Sequence, residues 1–341
     1  MKKNRRVWGL IIGAAVGVMA CGEAGAWGHE GHQLVGAMAD SLLVGTNAGK
    51  EIKKILGTQK LQTAALWADC AKGVSNHAPF TFTVNAMYSE CVPFQTAAGQ
   101  KAMVDYVKRN VDACHPAAAE EVCHKQYHYA DVAIERDTYA RADVGASNHD
   151  VVSAINAAVL KLQGGAVPAP FSFKSRKEAL RVLAHLVGDI HQPLHVGAIY
   201  LDSAGHEVDP DTAAFVPDTK NNGANLLWHG SSKLHGEWDA IPAGLTIVNF
   251  LVVGTAEAKL VPVTAGPVSG WAGAWASETV MASHTAFQGL TYGPEEQANT
   301  THRKWPVTEP TDYATNRAAL QKTQLVKAGA RLAQLLEAVW P

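Results

Sequence analysis

Apolar residues recur at steps of three and four along much of the chain, which is the spacing of the buried face of a helix. The pattern is clearest from Leu34 to Leu43 and from Ala179 to Leu186. Similar periods predict further helices near 47–57, 98–113, 148–163, 268–287 and 312–338. The sequence therefore predicts a mainly α fold.

Two irregular stretches, 70–97 and 199–227, lie between predicted helices and are rich in Pro, Gly, Asp, Asn and Thr. The second is long enough to predict a functional loop or a small hairpin rather than a linker. The chain has no repeat of fixed period and no alternation of strands with helices, so a parallel sheet is not expected.

The first 26 residues have the pattern of a cleaved export signal. Basic residues lie from Lys2 to Arg6, an apolar run extends from Val7 to Ala20, and Ala24-Gly25-Ala26 offers small residues for cleavage. Cleavage after Ala26 would make Trp27 the first residue. We therefore expect residues 1–26 to be a signal peptide and the mature protein to be secreted or periplasmic, without a membrane anchor.

Two alternatives to a cleaved signal stay open at this point. A retained anchor is disfavoured because the run from Val7 to Ala20 is shorter than the roughly 20 apolar residues of a membrane span. The second alternative is lipidation at Cys21, because Val18-Met19-Ala20-Cys21 loosely resembles a lipoprotein box.

The composition is that of an ordinary globular protein, with 47% hydrophobic and 18% charged residues. No shift in composition divides residues 27–341, so we expect a single domain there, acting as a monomer. That part carries 25 of the 29 basic and 30 of the 31 acidic residues, a formal charge of −5. It lacks the basic footprint of a nucleic-acid-binding protein, so bound cations would have to attract a polyanionic substrate.

Four cysteines follow the predicted signal: Cys70, Cys91, Cys114 and Cys123. An even number in an exported chain predicts two disulfides. Among the three possible connectivities we favour nearest neighbours, Cys70 with Cys91 and Cys114 with Cys123. Four free thiols would require a reducing compartment, which the export signal disfavours.

Histidine and aspartate recur at the spacing of one helical turn. His185 and Asp189 are four residues apart, as are His235 and Asp239, so each pair faces one side of a helix. Taken singly, such a pair is more often a surface ion pair or a capped helix end. Two pairs in one exported chain, together with Asp69 and with His128 near Asp131, favour zinc or a similar divalent cation.

These residues lie in segments that resemble the zinc-dependent single-strand nucleases of the S-one/P-one type, which are relatives of the zinc phospholipases C. The matching segments occur in family order: Trp27-Gly28 to His32, Trp67-Ala68-Asp69, His128-Tyr129-Ala130-Asp131, His185 to His195, Gly223-Ala224-Asn225, Leu234-His235 to Trp238-Asp239, and Ala328 to Ala333. The resemblance implies a compact multi-helix bundle with long irregular loops and at most a small hairpin.

The resemblance also implies three Zn²⁺ ions. The residues that would bind the first are Asp69, His128, His185 and Asp189. Trp27, through its α-amine and carbonyl oxygen, would bind the second with His32 and with Asp189, which bridges the two. The residues that would bind the third are His195, His235 and Asp239. The other histidines match no ligand position.

The implied reaction is hydrolysis of the P–O3′ bond in single-stranded DNA and RNA, leaving 5′-phosphates, with 3′-nucleotides as further substrates. Asp189 would be catalytic as the bridge between two ions that activate water. Lys72 stands where the family has Arg or Lys and would neutralise the reacting phosphate. Tyr129 would stack on an unpaired base, and Asp131 and Asn225 would hydrogen-bond its edge.

Two other functions share parts of this pattern. A zinc phospholipase C has the same metal ligands but needs an apolar entrance for acyl chains, which Tyr129, Asp131 and Asn225 disfavour. An exported zinc-binding or adhesion module that is not catalytic would be expected to close every coordination position. The stretch 71–97, and Asn148-His149-Asp150 where the family often has a Cys, depart from the family pattern.

Overall fold

The computed structural model describes residues 27–85, 88–117, 120–212, 215–297 and 303–341. The predicted signal peptide and Cys21 lie outside these residues. Helices within the described ranges are α1 His29–Leu42, α2 Asn47–Leu56, α3 Leu61–Ala64, α4 Trp67–Ala71, α5 Ala97–Asn110, α6 Cys123–Gln126, α7 Val151–Leu162, α8 Arg176–Asp189, α9 Leu234–Asp239, α10 Ile247–Leu260, α11 Trp271–Phe287 and α12 Tyr313–Val339. The mainly α prediction is confirmed.

The helices form a bundle in which α8 is central. It packs against α7, α12, α3, α4 and α1. Ser175 begins α8 by accepting a hydrogen bond from the Glu178 N–H, and nearly every residue from Glu178 to Asp189 is buried. Because α8 is enclosed on several sides, its polar residues His185 and Asp189 lie inside the protein rather than on its surface.

Helices α1 and α12 form the most extensive contact of the bundle. A Cβ atom built on Gly329 of α12 would lie 2.5 Å from Cβ of Met38 on α1, so only glycine allows this approach. Met38 itself is fully buried. The close approach keeps α1, which begins at His29 and carries His32, pressed against the rest of the bundle.

Strands contribute more than the small hairpin that we expected. They are β1 Val132–Ala133, β2 Gly197–Ala198, β3 Leu227–His229, β4 Ser232–Lys233, β5 Thr291–Tyr292, β6 Glu296–Gln297 and β7 Arg303–Thr308. Five of them form a sheet with the order β4-β3-β7-β5, and β6 also pairs with β7. The pairs β1–β2 and β3–β7 are parallel, contrary to the expectation from sequence. Strands this short have too few alternating positions to be visible as a period.

Helix α10 is absent from the helices predicted by periodicity. Its residues are apolar on several sides, and Val248, Val252 and Leu260 are exposed. The sequence therefore shows no single apolar stripe in this region. Of the helices in the described ranges, none combines the length and the apolar character that a membrane crossing requires.

The cysteines pair as nearest neighbours. Cys70 is bonded to Cys91 and Cys114 to Cys123, each with a Cα–Cα distance of 5.6 Å. The first disulfide joins α4, which carries Asp69, to a 3₁₀ helix at Ser89–Phe94. It therefore ties the irregular stretch 70–97 to the helix that supplies a predicted metal ligand.

Candidate metal centre

His185 and Asp189 lie one turn apart on α8, and their side chains are fully buried. His185 Nε2 is 3.2 Å from Asp189 Oδ2. A His and an Asp at this spacing converge because their side chains leave the same face of the helix. The pair forms the middle of two groups of residues whose ligand atoms come close together.

The first of these, here called the Asp69 group, contains Asp69, His128 and His185. Its ligand atoms lie within 4.8 Å of one another, and Asp69 Oδ1 is 3.4 Å from His185 Nε2. His128 Nδ1 lies 3.0 Å from His185 Nε2 and 2.9 Å from Asp189 Oδ2. The other three residues that the resemblance assigns to this metal therefore surround His185 Nε2.

The second, the His32 group, contains His32, His185 and Asp189. His32 Nε2 lies 3.4 Å from Asp189 Oδ1, and neither ring nitrogen of His32 has a hydrogen-bond partner among the described residues. A Cβ atom on Gly188 would lie 2.8 Å from His32 Nδ1 and 3.8 Å from Trp27 Cδ1. The fully buried Trp27 is thus placed beside this group, with its side chain against α8.

The third, the His195 group, contains His195, His235 and Asp239. His235 Nε2 lies 3.3 Å from Asp239 Oδ2 on the short helix α9, and the rings of His195 and His235 are 5.0 Å apart. All three residues are buried, and His195 Nε2 has no hydrogen-bond partner in the described part of the chain.

Three of the imidazole rings are each held in a fixed orientation by a main-chain carbonyl group. His185 Nδ1 donates to Ala65 O at 2.6 Å, His195 Nδ1 donates to His128 O at 2.9 Å, and His235 Nδ1 donates to Gly223 O. A ring that donates from Nδ1 keeps the Nε2 lone pair free for another ligand. In all three cases Nε2 is the nitrogen that faces the carboxylates or lacks a partner.

The protonation states fit metal ligation. Burial lowers the pKa of His32 to about 4, that of His128 to about 3 and that of His235 to about 4, so these imidazoles are neutral at neutral pH. Neutral imidazole is the form that binds a metal ion. Burial alone would also lower the pKa of His185, but Asp189 and Asp69 raise it to about 10. The two carboxylates thus stabilise a positive charge at the position between them.

Buried polar atoms that lack a hydrogen-bond partner also indicate metal ligation. Asp189 Oδ1, His195 Nε2 and both nitrogens of His32 are buried without a hydrogen-bond partner among the described residues. Leaving one such atom buried costs about 1–3 kcal/mol, and a charged atom costs more. Zinc accepts imidazole nitrogen and carboxylate oxygen as ligands, so the residues present fit that metal.

Lys72 lies at the edge of the Asp69 group. Its Nζ is 2.7 Å from Asp69 Oδ1, and its side chain is 13% exposed. Burial acts to lower the pKa of Lys72, but Asp69 and Asp189 raise it above its ordinary value, so the ammonium stays charged. The structure therefore places a positive charge beside the candidate ligands.

Tyr129 and Asp131 follow His128 along the chain and run beside His195. The N–H of Ala130, between them, donates to His195 O at 2.7 Å. Tyr129 is half-buried, and Asp131 Oδ1 is buried without a hydrogen-bond partner among the described residues. Burial raises the pKa of Asp131 to about 6.

Asn225 adjoins the His195 group. It lies two residues after Gly223, whose carbonyl oxygen accepts the hydrogen bond from His235. Its Nδ2 donates to Asn222 O at 2.9 Å, while its Oδ1 is buried and has no partner within the described ranges. Asn225 and Asp131 thus each keep one acceptor oxygen available near the candidate ligands.

The role of Gln192 is not predicted by the sequence. This buried residue donates from Nε2 to Asp239 Oδ1 at 2.9 Å, and its Oε1 accepts the Leu194 N–H at 2.5 Å. Its position between His185 and His195 is a signal, since a polar residue between ligands is a candidate for orienting one of them. Its partner is 47 residues away, which the sequence does not reveal.

A fourth group of potential ligands, His229, Glu237 and Glu309, lies near the surface. His229 is 46% exposed, and Arg317 already forms ion pairs with Glu237 and Glu309. This group therefore differs from the buried ones in that its imidazole is exposed and an arginine is paired with both of its carboxylates. We do not include it in the candidate centre.

Fold and site together define a helical protein with a buried centre of several candidate metal ligands. The family model for S1/P1 Nuclease matches residues 27–340, so the chain belongs to the S1/P1 nuclease family. The protein is thus a nuclease, a phosphoester hydrolase that acts on nucleic acid, in a family that depends on zinc. A comparison with curated proteins gives no match.

Proposed function

We propose that residues 27–341 form a single-domain, monomeric endonuclease that is exported after removal of residues 1–26. It hydrolyses P–O3′ bonds of single-stranded DNA and RNA, leaves 5′-phosphates, and also removes phosphate from 3′-nucleotides. Membership of the S1/P1 nuclease family supports the reaction class. The finer assignments rest on the arrangement of the residues around Asp189.

The observation that carries the proposal is that the two oxygens of Asp189 face different groups. Oδ1 lies 3.4 Å from His32 Nε2, whereas Oδ2 lies 2.9 Å from His128 Nδ1 and 3.2 Å from His185 Nε2. A buried carboxylate in this position is suited to bridging two cations. Two neighbouring cations are the usual arrangement for in-line attack on a phosphodiester.

Three zinc ions fit the donor sets. Asp69, His128, His185 and Asp189 would hold the first, and Trp27, His32 and Asp189 the second. His195, His235 and Asp239 would hold the third. When bound, the ions supply Lewis-acid charge for the phosphate and lower the pKa of water.

Residues at the edge of the centre then bind and orient the substrate. Lys72 holds its ammonium group beside Asp69, where it neutralises charge on the phosphate. Tyr129 offers an aromatic face to a base, while Asp131 and Asn225 offer acceptor oxygens to the base edge. A base must leave its stack to reach these groups, and this costs less in a single strand than in a duplex.

Digestion of matched substrates tests the proposal. Single-stranded DNA, RNA, the corresponding duplexes, a 3′-mononucleotide and lecithin are treated with protein whose zinc content has been measured. We expect three zinc ions per chain, preferred cleavage of the single strands, 5′-phosphate ends, and phosphate release from the mononucleotide. Equal cleavage of duplexes, 3′-phosphate ends, or release of diglyceride from lecithin would contradict it.

A further inference from the structure

A cavity of about 280 Å³ lies beside the Asp69 group. Its lining combines residues of α4 and those that follow it, including Asp69 and Lys72, with described residues between Phe82 and Gln95, and with Gly28 and His29 at the start of α1. Its volume is near the lower end of the ~300–1,000 Å³ range of small-molecule sites. Tyr129, Asp131 and Asn225 are not among its lining residues, so it is distinct from the proposed base site.

Two described parts of this lining, Phe82–Thr83 and Ser89–Phe94, are tied to the residues around α4. The disulfide between Cys70 and Cys91 fixes its far end to α4. At its near end, Val74 and Phe82 form an antiparallel bridge. Within that bridge the Thr83 N–H donates to Gly73 O at 3.0 Å. Phe82 therefore starts from a fixed backbone, and Tyr88 directly precedes a 3₁₀ helix that the disulfide holds.

Phe82 and Tyr88 give the cavity an aromatic surface. Phe82 is half-buried against Gly73, where an added Cβ atom would lie 3.1 Å from Phe82 Cε2. Tyr88 is 40% exposed and lies at the start of the 3₁₀ helix Ser89–Phe94. Aromatic side chains at such positions are platforms on which unpaired bases stack.

The charges at the cavity favour an uncharged ligand. Lys72 is already paired with Asp69 at 2.7 Å, and Glu90 adds a negative charge to the lining. Lys72 is the only lysine or arginine among the lining residues, so a phosphate other than the scissile one would find no further such cation there. Thr83 and Gln95 provide polar groups beside the aromatic rings. A flat ring with hydrogen-bonding edges, which is the chemistry of a nucleobase, matches this combination.

We propose that this cavity binds the base of the nucleotide that follows the scissile phosphate. This inference rests on the proposed function, in which Tyr129 binds the base on the O3′ side of that phosphate. Lys72 belongs both to the phosphate position and to the cavity wall, so the cavity opens where the next nucleotide leaves the phosphate. The enzyme thus has a second base subsite that is formed in part by residues of the stretch 71–97, which departs from the family pattern.

Two substrates separate the two subsites. A 3′-mononucleotide has a base and a phosphate but no following nucleotide, whereas a dinucleoside monophosphate has a base on each side. For Phe82→Ala and Tyr88→Ala we expect kcat/KM toward the dinucleotide to fall roughly 5- to 150-fold, the equivalent of one lost stack. Hydrolysis of the 3′-mononucleotide should be unchanged.

Matched variants control for damage to the loop. Val84→Ala changes an exposed residue of the same stretch that does not line the cavity, and should leave both substrates unaffected. Tyr88→Phe keeps the ring and should retain dinucleotide hydrolysis. Phe82→Leu keeps most of the bulk against Gly73 but removes the aromatic face, so it should still show the selective loss.

The outcomes distinguish this inference from the proposed function. If the alanine variants lose activity equally toward both substrates, the loop supports the Asp69 group and the second subsite is refuted. Loss of diglyceride release from lecithin in Phe82→Ala would show that the cavity takes an acyl chain, which also refutes it. A zinc-loaded wild-type protein that hydrolyses neither nucleotide would overturn the proposed function, and this inference with it.

Discussion

Gln192 donates its side-chain amide to Oδ1 of Asp239 at 2.9 Å, and both residues are buried. The other oxygen of Asp239 lies 3.3 Å from His235 Nε2. The amide of Gln192 is itself fixed, because its oxygen accepts the Leu194 N–H. One carboxylate oxygen of Asp239 is thus held by the protein, while the other stays directed at the His195 group.

Gln192→Ala should weaken metal binding at the His195 group about 10- to 100-fold, because Asp239 loses the contact that orients it. Zinc titration of the metal-free protein, followed by measurement of kcat, checks this. Gln334→Ala is the matched control, since Gln334 donates a similar bond to Val261 O at 2.8 Å away from the candidate ligands. Equal losses in the two variants would show that Gln192 contributes only general stability.

Asp189→Asn should lower activity by several orders of magnitude and reduce the zinc content. A neutral amide neither balances two dications nor bridges them well. Metal analysis and single-turnover rates on single-stranded DNA check this. Normal turnover with the full zinc content would be incompatible with a bridging role for Asp189.

Tyr129→Ala should weaken nucleotide binding by about 1–3 kcal/mol, the contribution of one base–aromatic stack, and should leave the zinc content unchanged. The measurement compares KM for a 3′-mononucleotide with KM for a phosphodiester that has no base. If the baseless substrate is affected as strongly, Tyr129 supports the ligand His128 instead of binding a base.

The sequence predicts the helices, and the pairing of His with Asp along two of them, better than it predicts the sheet. His185 and Asp189, like His235 and Asp239, are linked by the local period of a helix, so their convergence can be anticipated. The contact between His32 and Asp189 cannot be anticipated in this way, because it depends on how α1 packs against α8. The family resemblance, not the helical period, implies that His32 and Asp189 bind the same metal ion.

The short strands and the cavity wall are harder to predict from the sequence than the helices are. Strand β7 pairs with β3, some 80 residues earlier in the chain, through Leu227 and Trp305. Two-residue strands such as β1 carry no alternation that could be recognised. The aromatic wall with Phe82 and Tyr88 depends on the disulfide at Cys91 and on a single bridge, and neither leaves a periodic pattern.

Binding of the base should depend on the ionisation of Asp131. Burial raises the pKa of its carboxyl to about 6, so the group is neutral below that pH and accepts hydrogen bonds as an anion above it. We expect nucleotide binding to strengthen as the pH rises from 5 to 7, and Asp131→Asn to remove this change.

The baseless phosphodiester serves as the control, because it reports the pH dependence of the metal ligands alone. The folding stability of the free protein should have the opposite pH dependence to nucleotide binding and should fall as the pH rises. The contribution of a carboxyl with a raised pKa is complete below its unfolded value of about 3.9 and is lost as the pH rises through 6. Identical pH profiles of KM in wild type and Asp131→Asn would rule out the proposed contact with the base.

Processing of the N-terminus should control the second metal site. Trp27 is fully buried beside the His32 group, and the next residue is anchored by a hydrogen bond from the Gly28 N–H to Asp239 O at 2.8 Å. In the proposed ligand set, Trp27 binds zinc through its own α-amine. While Ala26 is attached, that nitrogen is part of a peptide bond, and its lone pair is delocalised into the carbonyl.

A protein that begins at Trp27 should therefore bind more zinc tightly, and turn over far faster, than one that begins at Ala26. Trp27→Phe, also beginning at residue 27, separates the main chain from the side chain, because it keeps the amine and the carbonyl oxygen and should keep the zinc content. Lipidation at Cys21 would leave residues 21–26 attached and the amine blocked, so an active lipoprotein is incompatible with this ligand. Equal metal content and activity in the forms that begin at Trp27 and at Ala26 would refute amine ligation and favour the lipoprotein interpretation of the N-terminus.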